Sequence, residues 1–313
     1  MRIVFCGTPE FAVPSLRRIA SEPGFDLETV ITQPDRPSGR GGRVQAPPVK
    51  DAALELGLHV FQPEKIKSDS AYTFLKKLSP DVVVIIAYGQ IIPQKLIDIP
   101  RLGWINVHAS LLPKYRGAAP IHWAIASGET RTGLTTMKID AGLDTGPMLL
   151  RWETDIGADE TAPQLSERMA EAGAPLIVET LHKLGRGEIT PQAQDHSQAT
   201  HARILKKEDG RIDWSQPARV VYNRMRGFTP WPGAYTTFRG QTCHVWGKPA
   251  ASNEVIAGAA APGAIIAAQG DLMVTCGEAS HLLLTEVQLE GRKRTSARDF
   301  ANGARLQAAE VFT

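Results

Sequence analysis

Residues Val82 to Ile86 read V-V-V-I-I, an unbroken apolar run inside the stretch Asp81 to Ala87. A strand without polar alternation is buried on both faces, so this run predicts a central strand of a parallel sheet with helices layered on either side. The amino terminus agrees. Arg2 to Cys6 reads as a strand, Gly7-Thr8-Pro9 as a tight turn, and Phe11 to Ala20 as a helix offering Phe11, Leu16 and Ile19 to the sheet. Leu27 to Thr32 follows as a second strand. This βαβ opening predicts parallel strands joined by a right-handed crossover. It also invites a nucleotide cofactor, but the first turn lacks G-x-G-x-x-G, which argues against a dinucleotide there.

Further elements follow the same alternation. Asp51 to Leu58 and Ser70 to Leu78 read as helices, His59-Val60-Phe61 as a short strand, and Leu102 to Ile105 as the lead-in to another strand. Ala118 to Ala126 reads as a helix with Pro120 near its start, where proline is tolerated. Leu134 to Ile139 and Pro147 to Trp152 are expected strands, and Ala162 to Leu184 a long amphipathic helix that closes the domain. The expectation for residues 1–184 is an α/β catalytic domain, an open, mostly parallel Rossmann-like sheet with helices on both faces. Residues 185–205 are polar and lack a clear period, the pattern of a linker. Beyond them, short alternating segments at Ala234 to Phe238, Thr242 to Trp246, Ala264 to Ala268, Leu272 to Cys276 and His281 to Leu289 are separated by Gly-containing turns. With the helix Ala218 to Arg226 they predict a smaller OB-like β-barrel domain over 206–313, with Trp231 and Trp246 in its core.

At 313 residues the chain is long enough for two domains, and its formal net charge of +2 names no partner by itself. No stretch approaches a membrane span, and the first apolar run is too short for a secretion signal. Cys6, Cys243 and Cys276 are scattered, without disulfide or metal spacing, so no metal and a reducing cytoplasmic location are expected. Charge is nevertheless clustered. Gln33 to Lys50 is rich in Pro and Gly and carries Arg36, Arg40, Arg43 and Lys50 against the single acid Asp35. Such a segment is not expected to hold regular structure. It is either a mobile surface loop or a cationic arm, in which Gly permits close approach and Arg forks onto phosphate.

The chemistry is expected between Trp104 and Gly117, W-I-N-V-H-A-S-L-L-P-K-Y-R-G. Strand alternation puts Asn106 and His108 on one face with Val107 on the other, and Pro113 prevents the ladder from continuing. Two polar side chains therefore share the carboxyl end of a strand, where open α/β sheets place ligands. A third candidate, Asp144, follows in D-A-G-L-D-T-G (140 to 146). Each has a structural alternative: a satisfied histidine, a turn-forming Asn, a turn-capping Asp. Asp144-Thr145-Gly146 also matches the aspartic protease triplet, but that chemistry needs a second such triplet and the chain has none. Together the three suit acyl transfer to an amine. An imidazolium and a carboxamide N–H can stabilise a developing oxyanion, and a carboxylate can relay the proton leaving the amine. No Ser or Cys nucleophile with its own base is evident, which favours direct transfer over an acyl-enzyme.

N-V-H-A-S-L-L-P-K-Y-R-G (106 to 117) with the later D-A-G-L-D-T-G resembles the formyltransferase family that uses 10-formyltetrahydrofolate. The resemblance implies a catalytic trio of Asn106, His108 and Asp144. It implies a folate-binding loop at Ser110, Leu111, Leu112 and Pro113, and a pterin wall at Ala87, Tyr88, Gly89, Gln90, Ile91 and Ile92. Asp140 to Asp144 matches the loop that closes on the folate. T-Q-P-D-R-P-S-G-R-G (32 to 41), G-A-A-P-I (117 to 121), K-K-E-D-G-R-I-D-W (206 to 214) and F-T-P-W-P-G-A (228 to 234) are similar to the branch acting on methionyl initiator tRNA, over nearly the whole chain. That similarity implies tRNA contacts from Arg36, Arg40 and Arg43, a role for Lys206 and Lys207 beyond the linker, and a monomer. Arg224, Arg226, Arg239, Lys248, Arg292, Lys293 and Arg294 add cations to the second domain, suited to an RNA backbone or simply scattered on its surface. Two alternatives stand beside this expectation, a formyltransferase acting on an amino sugar nucleotide and a catalytically silent tRNA-binding protein.

Overall fold

The computed structural model describes residues 1–38, 42–251, 260–268, 271–307 and 310–313. They form two compact units. The first comprises Met1–Pro120, Arg131–Asp155 and Gln164–Arg203; the second comprises Ile121–Thr130, Ile156–Pro163 and Ile204–Thr313.

In the first unit, Val82–Ile86 is the middle strand of a seven-stranded sheet. Across it the order is Met148–Asp155, Arg131–Lys138, Trp104–His108, Val82–Ile86, Arg2–Gly7, Asp26–Ile31, Val60–Phe61. The last five run parallel; Arg131–Lys138 and Met148–Asp155 are antiparallel additions at one edge. The double-sided burial read from the sequence is present. Val4, Cys6, Val83 and Ile85 pack into a cluster with Ala71 and Leu75 of the helix Asp69–Leu78, while Ile3, Phe5, Val82, Val84 and Ile86 are also fully buried. That helix starts where the Ser68 hydroxyl accepts from the Ala71 N–H, and it stops at Ser79 in the left-handed region. The long helix Ala162–Gly185 is tied to the sheet by a buried hydroxyl pair, Thr180 and Thr136, 3.0 Å apart.

Two segments differ from their sequence readings. The basic stretch after the second strand holds regular structure, a ribbon of Arg36–Ser38 and Arg43–Gln45 with Arg36 opposite Gln45 and Pro37 opposite Val44. Strands this short leave no periodic pattern to read. Residues 185–205, read as a linker, also carry structure: His201–Ala202 pairs in parallel with Arg116–Gly117, and Gln194 is only 5% exposed. This segment is fastened by hydrogen bonds, so it needs no apolar stripe.

The second unit is a curled antiparallel sheet in the order Tyr235–Phe238, Gln241–Pro249, His281–Leu289, Asp271–Thr275, Ile265–Ala268, with the helices Ala218–Gly227 and Ala297–Ala304. Strand segments and the first helix match the sequence reading closely. Residues 310–313 bridge the two edges of the sheet. The Ile265 N–H donates to the Glu310 carbonyl at 2.9 Å and the Phe312 N–H to Gly263 at 2.8 Å, while Thr313 and Thr237 exchange two backbone bonds. Phe312 is buried between Trp214 and Phe238.

Two expectations in this unit are corrected. Trp231 is 54% exposed, and Trp246 lies half-buried under the Arg294 guanidinium, so neither fills the core. Arg226, counted among the surface cations, is buried and donates to the Gly157 and Glu160 carbonyls and to Asn223. A guanidinium carries enough donors to fasten its own helix to the 157–160 stretch, which is a structural use of the charge. Among the described residues no helix is long and apolar enough to cross a membrane.

All three cysteines are free and buried, and burial pushes the Cys243 and Cys276 thiols up to about 12. Iodoacetamide at pH 8 is expected to leave them unmodified in the folded protein and to label all three in denaturant, counted by mass spectrometry. Phe312→Ala should lower unfolding stability by about 3–5 kcal/mol, the range for removing a buried aromatic ring. Urea denaturation checks this; a loss below about 1 kcal/mol would contradict the closing role assigned to Phe312.

Candidate active site

Trp104–His108 is held between Val82–Ile86 on one side and Arg131–Lys138 on the other, so its side chains are fixed by two ladders. Asn106 and His108 share a face, as strand geometry requires. His108 is 5% exposed, with Nε2 2.9 Å from the Tyr115 carbonyl oxygen. A carbonyl only accepts, so Nε2 carries a proton. Nδ1 then faces Asp144, 3.6 Å from its Oδ2. The half-buried Asn106 carboxamide has no hydrogen-bond partner among the described residues, which leaves its N–H free for a ligand.

Asp144 arrives by an indirect route. The Ile139 N–H donates to the Trp104 carbonyl, at the opposite end of the strand from His108, and residues 140–146 then travel back to the imidazole. Asp140 braces this loop from inside, accepting from the Gly142 N–H at 3.0 Å and the Thr145 hydroxyl at 2.7 Å. Asp144 Oδ2 accepts from the Gly117 N–H at 2.8 Å. Three non-glycine residues of this region hold left-handed backbone: Ala87 at φ 48°, Tyr115 at 58° and Asp144 at 52°. Such conformations disfavour L-residues and persist only when their surroundings enforce them, which is common at functional sites.

Residues carried over from the family resemblance divide by orientation. Ala87, Gly89 and Ile91 are exposed, whereas Tyr88 and Ile92 turn into the core. Burial raises the Tyr88 hydroxyl well above the usual phenol range. Gln90 is engaged within the protein, accepting from the Ile66 N–H and donating to Gln33. In the next loop the Ser110 hydroxyl donates to the Lys114 carbonyl, and Leu112 packs with Met137 and Met148, leaving Leu111 and Pro113 half-exposed. Ile91, on the 87–92 loop, and Leu143, on the 140–146 loop, offer large exposed apolar surfaces.

The residues considered for RNA are less concentrated. Arg36 is exposed and donates to Gln33; Arg40 lies outside the described residues, and of Arg43 the backbone pairing with Ser38 is described. Lys50 is engaged by Asp35, whose carboxyl is held below the usual carboxylate range by Gln62 and Lys50. Lys206 and Lys207 are exposed in the second unit. Lys248, Arg239 and Arg294 pair with Asp159, Glu310 and Glu286.

Two residues that sequence reasoning missed complete the site. Arg116 is 4% exposed, and its Nε and Nη2 donate to Gln194 Oε1 at 3.0 and 2.6 Å. The Gln194 carboxamide donates in turn to the carbonyls of Asp144 and Gly146, each at 2.8 Å. Arg116 was visible inside the family motif but carried no separate signal; Gln194 had none.

Residues 1–181 match the model of the formyl transferase family, and residues 204–305 match the model of the formyl transferase C-terminal domain. Methionyl-tRNA formyltransferase of Solibacter usitatus is 56% identical, over 99% of this chain and 98% of the relative. That of Koribacter versatilis is 53% identical over the same shares. Among solved structures, WlaRD, a sugar 3N-formyl transferase crystallised in the presence of dTDP and 5-N-formyl-THF, is 17% identical with a TM-score of 0.67. The match covers 94% of this chain and 99% of that one and bears on the fold alone. With relatives this similar along nearly its whole length, and with Asp144 brought to the strand that carries Asn106 and His108, the chain belongs to the formyl transferase family, among the methionyl-tRNA formyltransferases.

Proposed function

We propose that the chain transfers the formyl group of 10-formyltetrahydrofolate to the α-amine of methionine esterified to initiator tRNA, acting as a monomer in the cytoplasm. The observation that carries the chemistry is the His108–Asp144 pair beside an unpartnered Asn106 carboxamide. The folate is a co-substrate, consistent with the 5-N-formyl-THF in whose presence WlaRD was crystallised. The exposed Ile91 and Leu143 suit a flat ring system, and the side chains of Tyr88, Ser110 and Leu112, turned inward, leave only their backbone to meet it.

The amine lone pair forms the new C–N bond while the carbonyl π electrons move to oxygen, giving a tetrahedral carbon, an alkoxide and an ammonium. Asn106 N–H donates to the alkoxide, where preorganised donors are most effective, and His108, whose Nε2–H is held by the Tyr115 carbonyl, donates through Nδ1 when the ring is protonated. Asp144 holds His108 and accepts the ammonium proton. That proton reaches N10 of the folate as the C–N10 bond breaks and the carbonyl reforms, leaving tetrahydrofolate and the formylated amine. No covalent enzyme intermediate is required.

Tetrahydrofolate chemistry alone does not choose the acceptor. The basic residues Arg36, Arg40 and Arg43, together with Lys206 and Lys207, are proposed to hold phosphates of the tRNA. Radiolabelled formyl transfer should appear on charged initiator methionyl-tRNA and be absent from an amino sugar nucleotide. Transfer to the sugar alone would overturn the acceptor and keep the trio; no transfer to either would favour a silent binding protein. Asp144→Asn should lower kcat by at least ~10²-fold, the scale of losing an acid–base group, and near-normal turnover would remove Asp144 from the mechanism. Arg40→Ala with Arg43→Ala should weaken tRNA binding and flatten its logarithmic salt dependence by about two or less, one per phosphate contact. An unchanged slope would take these arginines out of the interface.

A further inference from the structure

We propose that Gln194 is a positioning residue for the reaction, the clamp that sets where the Asp144 carboxylate stands relative to His108. The inference rests on the role of Asp144 proposed above. Asp144 has a left-handed backbone on a loop containing Gly142 and Gly146, and the Asp140 bonds that brace this loop end on Gly142 and Thr145, so Asp144 itself is held from outside the loop. Gln194 grips both sides of the relevant turn, donating one N–H to the carbonyl of Asp144 itself and the other to the carbonyl of Gly146.

The orientation of this amide is dictated. Arg116 presents only donors, so Oε1 must face the guanidinium and the NH2 group must face the two carbonyls. A flipped amide would set donor against donor and acceptor against acceptor. All four hydrogen-bonding positions of Gln194 are therefore filled, and the group is nearly excluded from water. Arg116 is anchored further by contact with His196 Nδ1 at 3.1 Å.

Three consecutive residues unify the arrangement. The Tyr115 carbonyl receives His108, the Arg116 side chain fixes Gln194, and the Gly117 N–H holds the Asp144 carboxylate. The imidazole, the clamp and the carboxylate are thus referenced to one short piece of backbone, which is how two catalytic groups from separate elements keep a common spacing. A displacement of about 1 Å in such a site can lower turnover on the order of 10²-fold.

The test is a kinetic double-mutant cycle on the full chain. Gln194→Met keeps the length and removes every hydrogen bond; Gln194→Glu keeps an acceptor for Arg116 and places a carboxylate oxygen against the two carbonyls. Each is expected to lower kcat for methionyl-tRNA formylation by about 10²-fold, with KM for folate and for tRNA within about threefold of the parent. Gln194→Glu should lower Tm less than Gln194→Met, because its pairing with Arg116 survives. On an Asp144→Asn background, Gln194→Met should have little further effect on kcat, since a residue that acts through Asp144 has nothing left to act on. Full additivity of the two losses, or a fall in kcat that merely follows a fall in Tm, would overturn the proposal. Parental kcat in Gln194→Met would overturn it also. Failure of the proposed role of Asp144 is distinguishable: it would show in Asp144→Asn alone, as near-normal turnover.

Discussion

A carboxylate faces a nearly buried imidazole at this site, and the carboxylate belongs to a loop. That mismatch organises the first unit around residues 115–117. The strand bearing His108 is rigid because two neighbouring strands pair with it, whereas the loop bearing Asp144 starts at the far end of that strand and has two glycines. Hydrogen bonds to fixed backbone and to a buried Arg–Gln pair supply the missing rigidity, and burial makes those bonds matter, because any polar group left unpaired there would lose its water without compensation. The left-handed backbone at Tyr115 and Asp144 is tolerated on the same ground: the surrounding bonds determine each conformation more strongly than local sterics oppose it.

What was legible in the sequence follows from what leaves a period. The Val82–Ile86 run announced a doubly covered strand and proved to be the middle of the sheet, because hydrophobic burial is written directly into residue type. The common face of Asn106 and His108 followed from the two-residue repeat of a strand. Asp144 was placed by motif alone; no periodicity could have carried it back to His108. Gln194 lay beyond either kind of reasoning. Its partner Arg116 is 78 positions away, and a hydrogen bond between distant polar residues imposes no pattern on either segment.

The same distinction explains the misread segments. Residues 185–205 look like free chain because they lack an apolar stripe, yet their backbone pairs with Arg116–Gly117 and one of their side chains is almost sealed from water. Arg226 looks like a surface cation by type, and its guanidinium instead satisfies main-chain carbonyls in the interior. Trp231 suits a core by hydrophobicity and stands out from it. In each case residue type gives the average behaviour of its class, and long-range partners decide the particular outcome.

The second unit draws on three stretches of the chain. Trp123 meets Phe228 edge to face, Asp159 accepts from Tyr222, and the carbonyls of Gly157 and Glu160 receive Arg226. A gene cut at a single position near residue 205 would therefore separate this unit from its own parts. The released piece would keep this cation without its two carbonyl acceptors, a penalty for a small fold. Recombination between relatives faces the same restriction: a C-terminal segment exchanged by one crossover must find compatible residues near 123 and 157–160 in its new host. By its contacts this unit includes residues 121–130 and 156–163, although the polar stretch before residue 204 reads as a clean place to divide the chain.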